Sequence, residues 1–444
     1  MAAGKDKMGR PVVVVTGLGV VTSLGAGKSD NWAKLTSGAS GIKTITRFPT
    51  DGLKTRIAGT IDYLPPHDTA AALTESIASL AAEEAISQSG LGQTETFPGP
   101  LFLAVAPIEM EWPQRLEIAA MSGANESITY ADMLRVSAKF PDYHRRFLLG
   151  SVADNLAEKF GTRGSPISLS TACASGATAI QLGVEAIRRG EADAALCIGT
   201  DGSINPEAVI RFSLLSALST SNDVPQAAAK PFSKNGDGFV MAEGAGALVL
   251  ESYEAAMVRG AKILGVVEGC GEMTDAFHRT RSSPDGKPII GCIGNAIADA
   301  GLTPSDIDYI NAHGTSTPEN DKMEYLGCAA VFGERIKSVP ISSNKSMVGH
   351  TLSAAGAVEA VFTLLTLQTQ RIPPTINYAV PDPAIPLDVV PNMRSGLERI
   401  VPAAVDAFGD VDICVNCAGV ARIVDFLSLG RAEFVRVLAG NLVG

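Results

Sequence analysis

Residues 170–177 read Ser170-Thr171-Ala172-Cys173-Ala174-Ser175-Gly176-Ala177, a cysteine set among small residues just ahead of a helical pattern. Ala179, Ile180, Leu182, Ala186 and Ile187 recur at helical spacing, which predicts an amphipathic helix over Ala177–Arg189. The polar segment Thr162–Ser170 precedes the cysteine, and a strand-like run over Ala192–Gly199 follows the helix. A thiol at a helix N-terminus feels the positive end of the macrodipole, which predicts a lowered pKa and a nucleophile at Cys173. Most cysteines are small buried hydrophobes, and on this stretch alone the two readings stand level.

The same alternation extends along the chain. Pro11–Gly17 is a β-branched run closed by glycine, Leu73–Gln88 has helical periodicity, and Leu101–Pro107 reads as a strand. Later come a helix over Ile289–Ala300, a strand over Ile307–Ala312 and a helix over Ala354–Thr369. Alternating helices and buried strands predict an α/β protein with mostly parallel sheets covered by helices. The order repeats, one half ending near Glu251 and the next starting near Ala261, and a proline-rich passage from Pro373 to Pro391 closes the second. This divides the chain into 1–255, 256–392 and an atypical tail, 393–444.

Composition narrows the function. With 444 residues, 46% of them apolar, the chain can bury a sizeable core. A net charge of −11 without a basic run speaks against nucleic acid and against anionic membranes. Seven cysteines without disulfide-framework spacing fit a reducing compartment, so a cytoplasmic location is expected. The run Val12–Val15 behind Lys5, Lys7 and Arg10 imitates a secretory signal but breaks at Thr16-Gly17. No uninterrupted apolar stretch of ~18 residues occurs, so no membrane span is expected. Leu24-Gly25-Ala26-Gly27-Lys28-Ser29 imitates a P-loop, but Thr22 stands where its first glycine belongs. Thr16-Gly17-Leu18-Gly19 lacks the third glycine of a dinucleotide fingerprint and reads as a tight strand-to-helix turn.

Two of five histidines give Cys173 a context. Asn311-Ala312-His313-Gly314-Thr315-Ser316-Thr317 places His313 at a strand end, and Ser343-Asn344-Lys345-Ser346-Met347-Val348-Gly349-His350-Thr351 places Lys345 and His350 ahead of a helix. A metal pair is the competing reading, but zinc spacing is usually closer and no third ligand stands out, so no metal is expected.

Together the Cys-Ala-Ser-Gly turn, the His-Gly-Thr-Ser-Thr-Pro stretch and the Lys-Ser-Met-Val-Gly-His-Thr stretch resemble the β-ketoacyl-acyl-carrier-protein synthases, in their type II form, from about Arg10 to Asn392. The resemblance implies the thiolase-like fold, two repeated halves in a five-layered α-β-α-β-α sandwich, and a homodimer served by acyl carrier protein. It implies that Cys173 takes the acyl chain as a thioester and that His313 and His350 assist malonyl decarboxylation. Lys345 would hold a histidine and the charge balance, Glu359 would be a buried support, and neither metal nor nucleotide cofactor is needed. The product would be the 3-oxoacyl thioester of fatty acid elongation. Two departures, Gly236 and Ser221 where the family has arginine, fall in loops that the resemblance places near the carrier entrance.

The tail departs further. The family's closing Gly-Phe-Gly-Gly stretch is missing after Asn392, and residues 407–420 resemble instead a piece of a short-chain dehydrogenase, with Asn416-Cys417-Ala418-Gly419 for its Asn-Asn-Ala-Gly turn. That chemistry is not expected, because no tyrosine has a lysine four residues later. Cys414-x-x-Cys417 alone is a weak metal or redox signal. The run Val411–Val415 is suited to fill the vacated strand, and Phe408-Gly409 to mimic the lost turn. Because the missing stretch supplies an oxyanion donor in the family, weakened condensation is expected, and a catalytically silent partner subunit is the alternative.

Overall fold

All ten residues of Val13–Thr22 (β1) are buried, and the strand continues through Gly17 and Gly19 with one register shift between Val15 and Gly17. The expected turn at Thr16–Gly19 is therefore a continuous strand. The glycines serve close approach instead: a Cβ on Gly17 would lie 2.0 Å from the carbonyl oxygen of Ala85, and one on Gly19 1.9 Å from that of Ala81. Both carbonyls belong to the helix Ala70–Ser89 (α1), whose small residues Ala78, Ala81, Ala82 and Ala85 are buried against the sheet. This computed structural model describes residues 4–92, 95–122, 129–278 and 281–391, with the backbone of two short strands at Val415–Asn416 and Leu438–Gly440.

The first half continues through Leu101–Val105 (β2), Ser151–Phe160 (α2), Ile167–Leu169 (β3), Ser175–Arg188 (α3), Ala194–Asp201 (β4), Pro206–Leu214 (α4) and Gly244–Ser252 (β5). Its seven-stranded sheet runs Gly25–Ala26, β1, β5, β4, β2, β3, with Gly265–Val267 also paired to β1. The sheet is mixed: β2 is parallel to β3 and β4, whereas β5 is antiparallel to both β1 and β4. The mostly parallel sheet expected from helix–strand alternation is corrected here. β1 and β5 are each buried along their full length, like parallel strands, because helices cover both faces of the sheet.

The second half comprises Lys287–Asp299 (α5), Ile310–Asn311 (β6), Pro318–Phe332 (α6), Pro340–Ser342 (β7), Ala355–Thr369 (α7) and Asp388–Val389 (β8). Its sheet is all parallel, in the order β8, β7, β6 and then Val415–Asn416 of the tail. The regular strand at β6 is shorter than the predicted Ile307–Ala312. The tail thus places a strand beside β6, pairing Asn311 with Asn416. Phe408-Gly409, residues 411–414 and Cys417 lie outside the described residues.

Three apolar clusters order the layers. One joins α1 and α2 to the outer face of the large sheet, and another joins α5 and α6 to the outer face of the small sheet. The third contains α3 and α7, which lie between the sheets and give the five-layered thiolase-like arrangement. Leu352–Thr369 is long and apolar enough to cross a membrane, yet 89% of it is buried in this central layer. The Gly27–Lys28 turn is also committed, because the backbone N–H of Lys28 donates to Glu84 Oε1 at 2.9 Å and its ammonium pairs with the same carboxylate at 3.1 Å. A cation and helix start so occupied do not present a phosphate cradle.

The close approach sets the first prediction. Gly19→Ala drives a methyl into the backbone of α1 and is expected to cost about 1–3 kcal/mol, as overpacking does. Chemical denaturation should show a lowered midpoint with unchanged slope, and an unchanged midpoint would contradict the packing described.

Candidate active site

Cys173 ends a turn whose backbone is held under tension. Ala172 has φ +53°, in the left-handed region that a non-glycine residue rarely occupies. Ser175 Oγ secures the turn by accepting from the Thr171 N–H at 2.8 Å and donating to the Ala172 carbonyl at 2.6 Å. The helix α3 begins at Ser175, two residues before the predicted Ala177, so the sulfur sits one short step from its N-terminus. It opens on a largely apolar cavity of about 360 Å³ lined by Ala70, Ile108, Met110, Phe212 and Leu352 among others.

His350 comes from the loop ahead of α7, pinned by main-chain bonds to Val240 and Ala242. Its Nε2 is 3.1 Å from Cys173 Sγ, and its Nδ1 accepts the Leu352 backbone N–H at 3.2 Å. An acceptor role at Nδ1 fixes the neutral tautomer with its proton on Nε2. His313 follows β6, and its ring centroid lies 5.2 Å from that of His350, edge to face. Its Nδ1 is 3.3 Å from Lys345 Nζ, a group that can only donate, so its proton also belongs on Nε2. Lys345 Nζ in turn is paired with Glu359 Oε1, and both side chains are 4% exposed.

The five residues singled out in the sequence therefore converge in one constellation: Cys173 from the first half, His313, Lys345, His350 and Glu359 from the second. Burial, reinforced by the charge of Lys345, holds both imidazoles well below the ordinary histidine value, so they are neutral at physiological pH. The same burial pushes the Cys173 thiol up to about 11, with Lys345 opposing it. The lowered thiol pKa expected from the helix dipole is corrected: at rest the group is a thiol, because removal from water outweighs the favourable charge and dipole. Burial likewise raises the Glu359 carboxyl, against the opposing ammonium of Lys345.

Cys173, His313 and His350 bring their ligand atoms within 4.8 Å of one another, supplying the third ligand that the sequence did not reveal. The proton arrangement opposes a metal there. Ligation through Nε2 would move each proton to Nδ1, where the Leu352 N–H and the Lys345 ammonium already point.

Sequence reasoning missed three buried carboxylates. Glu324 accepts the backbone N–H groups of His313 and Gly314, each at 2.7 Å, and so sets the histidine loop. Asp321 accepts from Phe232 and Ser316, and Asp201 from Ser203 and Ser353. Asp321 and Glu324, three residues apart on the buried side of α6, were the available signal. The departures at Ser221 and Gly236 meet at Asp237, which accepts from Ser219 Oγ at 2.7 Å and Ser221 Oγ at 3.1 Å.

Comparison with known proteins gives this constellation its place. Residues 10–256 match the family model for the β-ketoacyl synthase N-terminal domain, and residues 264–379 match that for the C-terminal domain. The chain belongs to the β-ketoacyl synthase family. It is similar to 3-oxoacyl-[acyl-carrier-protein] synthase 2 of Vibrio cholerae, 36% identical over 410 residues, covering 90% of this chain and 97% of that protein. The tetracenomycin polyketide synthase ketoacyl synthase alpha subunit of Streptomyces glaucescens is 36% identical over 389 residues, covering 86% and 90%. A type II polyketide ketosynthase solved in complex with its acyl-carrier protein and bound to the hexaketide superimposes with a TM-score of 0.77 at 31% identity, covering 93% of this chain and 96% of that one. A β-ketoacyl synthase from Burkholderia phymatum gives 0.72 at 32%, covering 86% and 92%. As a β-ketoacyl synthase, the protein is an acyl-transferring enzyme that forms carbon–carbon bonds.

The buried ion pair yields the second prediction. Lys345→Met leaves the Glu359 carboxylate without its cation and should cost about 3–5 kcal/mol, whereas Lys345→Met with Glu359→Leu should recover most of that loss. Denaturant unfolding of the two variants measures the difference, and a double variant no more stable than the single one would contradict the pairing.

Proposed function

We propose that this β-ketoacyl synthase is a 3-oxoacyl-[acyl-carrier-protein] synthase of fatty acid elongation, with Cys173 as nucleophile and His313 and His350 as hydrogen-bond donors. The observation that carries this reading is the pair of neutral Nε2–H imidazoles converging beside one thiol. In the first half-reaction Cys173 attacks an acyl thioester on the carrier's phosphopantetheine arm. The S–C bond to Cys173 forms, the carrier's S–C bond breaks, and the thiol proton passes to the departing sulfur, so the step is neutral overall.

In the second half-reaction malonyl-carrier loses CO₂ and leaves an enolate. Two neutral N–H donors suit the enolate oxygen, since they stabilise negative charge without protonating the carbanion. The carbanion attacks the Cys173 thioester, forming the new carbon–carbon bond and releasing the sulfur as thiolate. Lys345 and Glu359 act through His313: the ammonium keeps Nδ1 an acceptor, and the carboxylate keeps the ammonium in place. Loss of CO₂ drives the condensation, so the reading requires neither metal nor nucleotide cofactor, and it takes 1–255 and 256–392 as the two halves.

A cytoplasmic homodimer completes the reading. β3 stands at the edge of the large sheet with Ile167 45% exposed, and Thr171 and Ala172, beside the nucleophile, are exposed too. An open apolar edge strand is a pairing surface. The intact set Cys173, His313, Lys345 and His350 weighs against a catalytically silent partner subunit.

The test separates the half-reactions. Cys173→Ala should take up no acyl group from acyl-carrier, as read by mass spectrometry of the intact protein. His313→Ala and His350→Ala should retain part of the acyl transfer, while malonyl decarboxylation falls by about 10²–10³, the usual cost of one such donor. Equal loss of both half-reactions in the histidine variants would contradict these roles.

A further inference from the structure

Asp201 is a buried carboxylate to which the two half-reactions give no role. It ends β4, an interior strand of the large sheet, and that strand end is tied to α1. Thr200 Oγ1 donates to the Thr74 carbonyl at 2.8 Å, and Thr74 Oγ1 accepts the Gly202 N–H at 2.9 Å. Asp201 Oδ1 accepts the N–H of Ser203 at 3.1 Å and its hydroxyl, while Oδ2 accepts the N–H of Ser353 at 3.3 Å and its hydroxyl at 2.8 Å. Two bonds on each oxygen fill a carboxylate, so Asp201 is no free base, although it lines the cavity at Cys173.

Ser353 is the far anchor of a strained turn. Three residues earlier the main chain of His350 is pinned, its N–H donating to the Val240 carbonyl at 2.7 Å and its carbonyl accepting the Ala242 N–H at 2.8 Å. Between the two anchors Leu352 has φ +48°, in the left-handed region that a leucine avoids. Its N–H is the group that meets His350 Nδ1 at 3.2 Å. Such a conformation persists only where its surroundings over-determine it.

We propose that Asp201 is a positioning residue for His350: by gripping Ser353 it keeps Leu352 left-handed and the Leu352 N–H on Nδ1, so that the Nε2–H stays aimed into the site. The inference rests on the condensing-enzyme reading, in which that Nε2–H serves the enolate oxygen. Without the grip Leu352 relaxes, Nδ1 loses its donor, and the ring loses the bond that fixes its tautomer and its orientation.

The experiment uses the full chain with nitrogen-15-labelled histidine, and separate assays of Cys173 acylation and malonyl-carrier decarboxylation. In Asp201→Ala the His350 Nδ1 resonance should move to that of an acceptor without a donor. Decarboxylation should fall about 5- to 30-fold, the ratio by which an L residue avoids the left-handed region, while acylation of Cys173 persists. Adding Leu352→Gly supplies a residue that takes positive φ as readily as negative, and should bring decarboxylation back to within about twofold. Ser353→Ala removes only the hydroxyl bond and should shift the resonance the same way by less, a readout that stands if Asp201→Ala does not fold. A resonance unmoved in Ser353→Ala and in folded Asp201→Ala, or a loss that Leu352→Gly does not relieve, overturns the positioning role. Malonyl-carrier left intact by the wild-type protein overturns the condensing reading instead, and the resonance still decides whether Asp201 positions His350.

Discussion

Everything at the site hangs on one buried ammonium. Lys345, 3% exposed, lies between the Glu359 carboxylate and Nδ1 of His313. A cation so far from water persists only because the carboxylate neutralises it, and the two together decide what the neighbouring groups do. As a donor, Lys345 obliges His313 to present its proton on Nε2. As a positive charge, it helps keep both imidazoles neutral and draws the Cys173 thiol down against the effect of burial. A site that must develop negative charge twice, on a leaving sulfur and on an enolate oxygen, benefits from one cation fixed beside it by its carboxylate.

The fold supplies the other requirement, which is convergence. The nucleophile arrives on a turn between β3 and α3, while His313 follows β6, Lys345 opens the short helix Lys345–Val348 after β7, and His350 follows that helix. The central helices α3 and α7 pack in one cluster and fix the relative position of the halves. Glu324 ties the His313 loop from the far side, so the donors are set before substrate arrives.

Much of this was legible in the sequence because each catalytic group sits in a short local pattern: Cys173 before a helix, His313 after a strand, Lys345 and His350 in one glycine-framed loop. The central helices were legible from periodicity to within two residues at α3 and one at α7. What stayed hidden depended on distant partners. The antiparallel pairing of β5 with β1 and β4 was invisible, since a strand covered on both faces shows no period-two pattern to mark its direction. The use of Gly17 and Gly19 for close packing depended on the carbonyls of Ala85 and Ala81, more than sixty residues away. Glu324 looked like any helix-surface acid until α6 turned it inward, and the raised thiol pKa follows from burial that no local motif encodes.

The central claim is that both imidazoles rest as neutral Nε2–H donors, and nitrogen-15 NMR of the histidine-labelled protein reads it directly. The account predicts that His313 and His350 show protonated Nε2 and unprotonated Nδ1, with no titration on passing through the ordinary histidine range near pH 6.5. A proton on Nδ1 of either ring, or a titration near that pH, would contradict it.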